Sequence, residues 1–401
     1  MSSSNAINTD SVDSLLQNVS QCVDAFKKRQ TEKDRLVALK AAQSLVQALH
    51  PPKDNVYHLV YSPTQAMCVR MGIDLEIFTT LSKSNGPLTL AELAAVKGAH
   101  LTIAERVLRV LSGIGYVKEH DVHVYTATSL THQMADRYSV AMVKFIWDFG
   151  LSTVAKIPEF LRSHDYQNVE GPTSGPWQYA TNIDEIIWSW VAKSPERLDI
   201  TNSFMEGDRG SRPGWLEWFP VEEQVIKGFT GGDEDVFLVD VAGGRGHDLK
   251  SFKDRFPQAR GKFILEDLPH VIEQCLPGLE VEKLAFDLFK PQPIKGSRIY
   301  YMKFILHDWS DEQSLEMLGH IRDAMKPGYS KLIIEEFILP ERDCPMLPAM
   351  WDWEMMVFCN SFERTEGRWK KLLDDAGFTA KFWSPPGDGQ GIIEAEVKPP
   401  N

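Results

Sequence analysis

From about residue 235 the chain alternates apolar runs of strand length with helical stretches, and this rhythm limits the fold more than any other feature. The runs are VFLVDV, KFILED, RIYYMKFI and KLIIEEFI. Each is apolar almost throughout, as a strand must be when both of its faces are covered. Helical stretches between successive strands imply parallel crossovers, so the pattern predicts an α/β doubly wound sheet. The closing FTAKFWSPPGDGQGIIEAEVK reads as two strands around a Pro/Gly turn, an antiparallel hairpin added to that sheet. Such a sheet binds ligands beyond the carboxyl ends of its strands.

The first of those ends is LVDVAGGRGHDL, where the strand Val236 to Val241 runs into Gly243, Gly244 and Gly246 and a helix is predicted from His247. Glycines there permit a tight turn and close approach of a ligand to the backbone. The second strand ends in Glu266-Asp267, about twenty residues after the last glycine, where a carboxylate can accept from ribose hydroxyls. The combination fits a dinucleotide as well as S-adenosylmethionine. Asp240 weighs between the two. An acid at the end of the first strand repels a pyrophosphate and favours the cationic methionine end of S-adenosylmethionine. Asp287, in AFDLF after the next strand-like stretch, is placed to accept from an adenine amino group, with Leu288 and Phe289 flanking the ring.

A third end carries a histidine. In YYMKFILHDWSDEQSLEMLGHIRDAMKPG, His307 lies just beyond a strand, and Ser310 with Gln313 forms a capping box that starts the next helix. Two carboxylates are candidates to orient it: Glu336 at the end of LIIEE, and Glu363 in the loop FERTEGRW. A carboxylate on one imidazole nitrogen leaves the other free to take a proton and stabilises the imidazolium that forms.

The N-terminal part reads differently. Residues 1–55 are an arm of two helical stretches, near Val12 to Phe26 and Lys33 to Leu49, the second ending at Pro51-Pro52. Residues 56–135 carry capping boxes at Thr89/Glu92 and Thr102/Glu105, a stop at Gly98, an apolar face of Val107, Leu108, Leu111 and Ile114, and a short hairpin, YVKEHDVHVY. Two helices, a turn and a hairpin read as a winged helix. Its second helix offers only Glu105, Arg106 and Arg109, and the whole chain carries a net charge of −13, so a nucleic acid is not the expected partner. Residues 136–230 are helical and rich in tryptophan, suited to core packing or to an apolar pocket for a flat ligand. Residues 231–401 form the sheet domain.

The sequence lacks an apolar run of membrane-spanning length, and its first residues, MSSSNAINTDSVDS, lack a basic, apolar leader. The cysteines Cys22, Cys68, Cys275, Cys344 and Cys359 are scattered without CxxC spacing, which predicts reduced thiols in the cytoplasm and no metal site.

Together these motifs resemble the plant caffeic-acid-type O-methyltransferases and their fungal relatives in secondary metabolism. The stretches that carry the resemblance are LVDVAGGRG, EDLPHVIE, FDLF, MKFILHDWSDE, EEFILP and FERTEGRWKKLLDDAGF, in the family's order. The resemblance implies a Rossmann-like methyltransferase sheet behind an N-terminal winged-helix dimerisation domain, hence a homodimer. It implies S-adenosylmethionine held at Asp240, Gly243, Gly244, Asp267, Asp287, Leu288 and Lys303, with Asp308 contacting cofactor or structure. It also implies methyl transfer to a hydroxyl, phenolic by preference, of a small aromatic acceptor, with His307 as general base flanked by Glu336 and Glu363. Two departures stand out. Ala242 occupies a position where the family has glycine, and CNSF replaces an NPGG-like segment before ERTE, so plant acceptors do not carry over. The intact HDW and both glutamates weigh against a rival reading, a pericyclase of this fold that keeps the cofactor without transferring its methyl.

Overall fold

The structure, a computed structural model, describes residues 9–169, 171–207, 212–385 and 387–399. The chain divides into two compact units, residues 1–148 and 149–401.

In the first unit, helices Thr9–Arg29 and Glu32–Leu49 pack on one another. Pro51-Pro52 ends the second, and Pro52 then opens a third helix, Pro52–Asp74, where its missing N–H costs nothing. Val56, Leu59, Val60 and Tyr61 stand exposed on that helix. Thr89 and Glu92 cap helix Leu90–Ala95 as the sequence predicts. The second box does not form. His100 is the N-cap of helix Leu101–Gly113, its Nδ1 accepting from the Thr102 amide at 3.3 Å. Glu105 lies one turn inside the helix, where it pairs with Arg109 and with His123. Strands β1 (Leu88–Thr89), β2 (Val117–Asp121) and β3 (Val124–Ala127) make an antiparallel sheet in the order β1-β3-β2. Phe78, Leu108, Leu111 and Tyr125 fill the core beneath it.

The second unit is built on seven strands: β4 (Val236–Val241), β5 (Lys262–Asp267), β6 (Glu282–Ala285), β7 (Ile299–Lys303), β8 (Lys331–Glu336), β9 (Phe378–Trp383) and β10 (Gly391–Val397). Their order is β6-β5-β4-β7-β8-β10-β9. β4, β5, β6, β7 and β8 pair in parallel, and β10 runs antiparallel between β8 and β9. The chain leaves β4 toward β5 on one side and returns to β7 on the other, so the strand order reverses at β4. In such sheets that reversal opens a crevice at the carboxyl ends. Side chains alternate between two cores, as strand geometry requires. Val239, Tyr300, Met302, Leu332 and Ile334 pack on one face, and Leu238, Ile299, Tyr301 and Ile333 on the other. Of the tryptophans in residues 136–230, Trp177 and Trp215 are core residues.

Candidate active site

A cavity of about 590 Å³ lies at the carboxyl ends of β4, β5 and β7, a size suited to a nucleoside-sized ligand. The seven positions that the sequence analysis assigns to the cofactor all line it: Asp240, Gly243 and Gly244 at β4, Asp267 at β5, Asp287 and Leu288 after β6, and Lys303 at β7. Helices Ile187–Ala192 and Pro195–Glu206 contribute Trp188, Leu198 and Met205 to the wall.

The turn after β4 is closed on itself. The Gly243 amide donates to the Glu266 carbonyl at 3.0 Å, and the Gly244 amide donates to Asp267 Oδ2 at 2.8 Å. Those two donors are spent on the end of β5, the second of them on Asp267 itself, and do not form a phosphate cradle. A Cβ on Gly243 would meet the Asp240 carboxylate at 2.4 Å, so glycine is a packing requirement there. Asp240 is 1% exposed, and its Oδ2 lacks a hydrogen-bond partner. Burial, then the neighbouring Asp248 carboxylate, holds the Asp240 carboxyl well above the usual carboxylate range. Such a group gains from a nearby cation and loses from an anion. Asp248, which the sequence reading passed over, sits in the first turn of helix His247–Arg255 and pairs with Lys303 at 3.3 Å.

Ala242 adopts a left-handed backbone, φ +56°. A side chain in that region costs about 1–2 kcal/mol. Replacing it by glycine relieves the strain against glycine's greater unfolded freedom. Ala242→Gly should therefore raise stability by about 0.5–1 kcal/mol, read as an upward shift of the thermal midpoint. A lower midpoint would mean that the methyl makes contacts worth more than the strain.

His307 lies in a short 3-10 turn, Leu306–Asp308, after β7. It is 4% exposed, and its neighbours Phe304 and Asp308 line the cavity. Its Nδ1 is 2.6 Å from Glu363 Oε1. With a carboxylate as partner, Nδ1 is the donor, which leaves Nε2 free to accept a proton. Nε2 is 3.5 Å from Asp308 Oδ1. The Phe304 ring stacks on the imidazole at 4.9 Å and on Trp351 at 5.6 Å. Phe304 itself has φ +51°, an uncommon conformation for a bulky residue and of the kind that functional sites retain.

The two glutamates differ in their work. Glu363 is held by its own backbone, whose N–H donates to Asp352 at 2.7 Å, and by the pairing of Leu339 with Thr365. Glu336 Oε1 accepts the amides of Leu306 at 2.7 Å and Ile305 at 3.1 Å, so it fixes the turn that carries His307. The Oε2 atoms of both glutamates are buried without hydrogen-bond partners. Burial pushes both carboxyls up, Glu363 strongly, and for Glu336 the adjacent His307 offsets part of the rise. The next residue, Arg364, was also missed from sequence. It is fully buried and donates to the carbonyls of Leu306 and Trp309, tying the glutamate's loop to the histidine's turn.

Residues 218–379 match the O-methyltransferase domain, and residues 57–136 match the O-methyltransferase dimerisation domain. O-methyltransferase penC of Penicillium thymicola is 33% identical over 374 residues, 92% of this chain and 93% of its own. The chain belongs to the O-methyltransferase family. The solved structure of OxaC with S-adenosylhomocysteine and oxaline superposes with a TM-score of 0.86 at 25% identity, covering 97% of this chain and all of that one. A structure described as a pericyclic reaction enzyme shares the fold, with a TM-score of 0.87 at 24% identity over 98% of this chain and all of that one. The enzyme is an S-adenosylmethionine-dependent O-methyltransferase of small-molecule secondary metabolism. Its cavity fits that cosubstrate: a buried carboxylate suited to a cation, and glycine amides that are already engaged. Among the described residues no helix is long and apolar enough to cross a membrane.

Proposed function

We propose that the enzyme methylates a phenolic hydroxyl of a flat aromatic acceptor, with His307 Nε2 as the general base. The observation that carries this reading is the buried His307–Glu363 pair, 2.6 Å apart, one turn beyond Lys303 on the cavity wall. S-adenosylmethionine supplies an electrophilic sulfonium methyl, so the chain need only align the acceptor oxygen and remove its proton. A phenol of pKa about 10 is almost wholly protonated at neutral pH, and His307 takes that proton as attack proceeds. Glu363 keeps the ring oriented and compensates the imidazolium, while Glu336 holds the turn. Asp240 faces the sulfonium end, Gly243 and Gly244 position Asp267 for the ribose, and Asp287 and Leu288 meet the adenine. Lys303, paired with Asp248, sets the charge of the floor. Helices Ile187–Ala192 and Pro195–Glu206 supply acceptor-side walls.

The test is a panel of phenolic polyketides and alkaloids with S-adenosylmethionine labelled on its methyl. We expect labelled ether products, each matched by one S-adenosylhomocysteine. Product formed without label would instead make the enzyme a pericyclase in which the cofactor is structural.

We also place the enzyme in the cytoplasm as a homodimer assembled through its dimerisation domain. The exposed apolar face of helix Pro52–Asp74 is the expected contact, with Leu59 73% exposed in the single chain. Light scattering should give twice the chain mass, and Leu59→Asp should shift it toward the monomer. A parent that is monomeric at micromolar concentration would remove this assembly.

A further inference from the structure

Each turnover leaves a proton on His307, and the structure must let it out before the next. The imidazole is almost sealed. Its side chain is 5% exposed, and Glu363, which holds Nδ1, is 0% exposed at the side chain. Phe304 covers one ring face. Release through Nδ1 would also leave the proton on the wrong nitrogen for another round. The proton must leave from Nε2, the atom that received it.

The Asp308 carboxylate faces that atom. Asp308 Oδ1 lies 3.5 Å from Nε2, and its side chain, 12% exposed, forms part of the wall of the 590 Å³ cavity. On its other side, Cys359 Sγ donates to the same Oδ1 at 3.4 Å. Cys359 belongs to the CNSF segment in which this chain departs from the plant enzymes. We infer that Asp308, tuned by the Cys359 thiol, carries the proton from His307 Nε2 to water in the cavity once the methylated product has left.

The balance is simple. The acceptor oxygen forms its bond to methyl, the sulfur–methyl bond breaks with its electron pair staying on sulfur, and the acceptor proton goes to Nε2. Nε2 then gives that proton to Asp308, and Asp308 gives it to water, so His307 returns to its starting tautomer. Burial raises the Asp308 carboxyl to about 6, with His307 and the Cys359 thiol opposing the rise and Glu336 and Glu363 adding to it. A carboxyl in that range can both take a proton from an imidazolium and pass it to solvent near neutrality.

The inference rests on His307 being the base, and the experiment separates the two. Stopped-flow with a pH indicator follows proton release while quenched samples follow methyl transfer. In Asp308→Asn, proton release and steady-state turnover should slow tenfold or more, the first methyl transfer only about threefold, and added formate or acetate should restore release. Equal losses in both steps, without rescue, would make Asp308 a positioning group, and unchanged release would remove it from the route. Cys359→Ala is the milder probe. Without the thiol, Asp308 holds its proton more tightly, so the acid limb of the turnover profile should move to higher pH. An unmoved limb overturns the role of Cys359. If His307→Gln methylates at the full rate, the fault lies in the assignment of the base and not in the exit.

Discussion

His307→Gln should lower turnover at pH 7 by about a hundredfold, equivalent to about 2.7 kcal/mol of barrier, the typical worth of a positioned general base. Glutamine keeps a donor toward Glu363 but has no atom basic enough to take the phenolic proton. Affinity for S-adenosylhomocysteine should barely change, because the residues that line the cofactor cavity do not include His307. The loss should shrink as pH rises toward 10, where free phenolate replaces the base. Glu363→Gln should cost less, since it removes the imidazolium's counter-charge and not the proton acceptor. Glu336→Gln should cost least, because an amide oxygen can still accept from Leu306 and Ile305. The measurements are steady-state rates against pH and calorimetry of cofactor binding. Full activity of His307→Gln at pH 7 would exclude it as the base.

What could be read from sequence was what is encoded locally. The capping boxes at Thr89 and Ser310, the glycine turn and the strands of the sheet each depend on residues a few positions apart. His307 was found because the end of a parallel strand is marked by its own apolar run. Thr102 shows the limit of that logic. The pattern for a box was present, but His100 lies two residues earlier and captured the cap, and a spacing rule cannot rank two competing acceptors. The partners that complete the site lie far along the chain: Asp248 under Lys303, Cys359 beside Asp308, and Trp351 against Phe304. Their sequence signal is an ordinary acid in a first helical turn, a lone cysteine and one more tryptophan. Only tertiary packing gives them meaning. The different duties of Glu336 and Glu363 were equally hidden, because two acids near one histidine look alike until one is seen holding backbone amides.

Arg364→Met should be the most destabilising single change in this region, by about 3 kcal/mol, and it should also cost activity. The reason is the geometry of the guanidinium. Nη1 donates to Leu306 O at 2.7 Å, Nη2 to Trp309 O at 2.9 Å and to Ser314 Oγ at 3.2 Å, and Nε pairs with Asp311 at 2.8 Å. The Asp311 pair contributes little, because that carboxylate is 57% exposed. The contacts that matter are the two carbonyls, which belong to the turn on either side of His307. Methionine fills a similar volume but leaves them with weaker partners, Ser314 Oγ at 3.3 Å for Leu306 and Ser361 Oγ at 3.1 Å for Trp309. Lysine should recover only part of the loss, since one ammonium cannot match a planar fork of five donors. A loss of this size lowers the thermal midpoint by roughly 10 °C in a domain this large. The electrostatic effect works in the same direction as the mechanical one. Arg364 lowers the proton affinity of both Glu336 and Glu363. Without it their carboxyls rise further, and Glu363 becomes protonated at a pH where the parent keeps it ionised. The imidazole then loses its counter-charge, and the variant's rate should recover as pH rises while its stability does not. A folded variant with parental midpoint and parental rate would show that the turn is held by Glu336 alone.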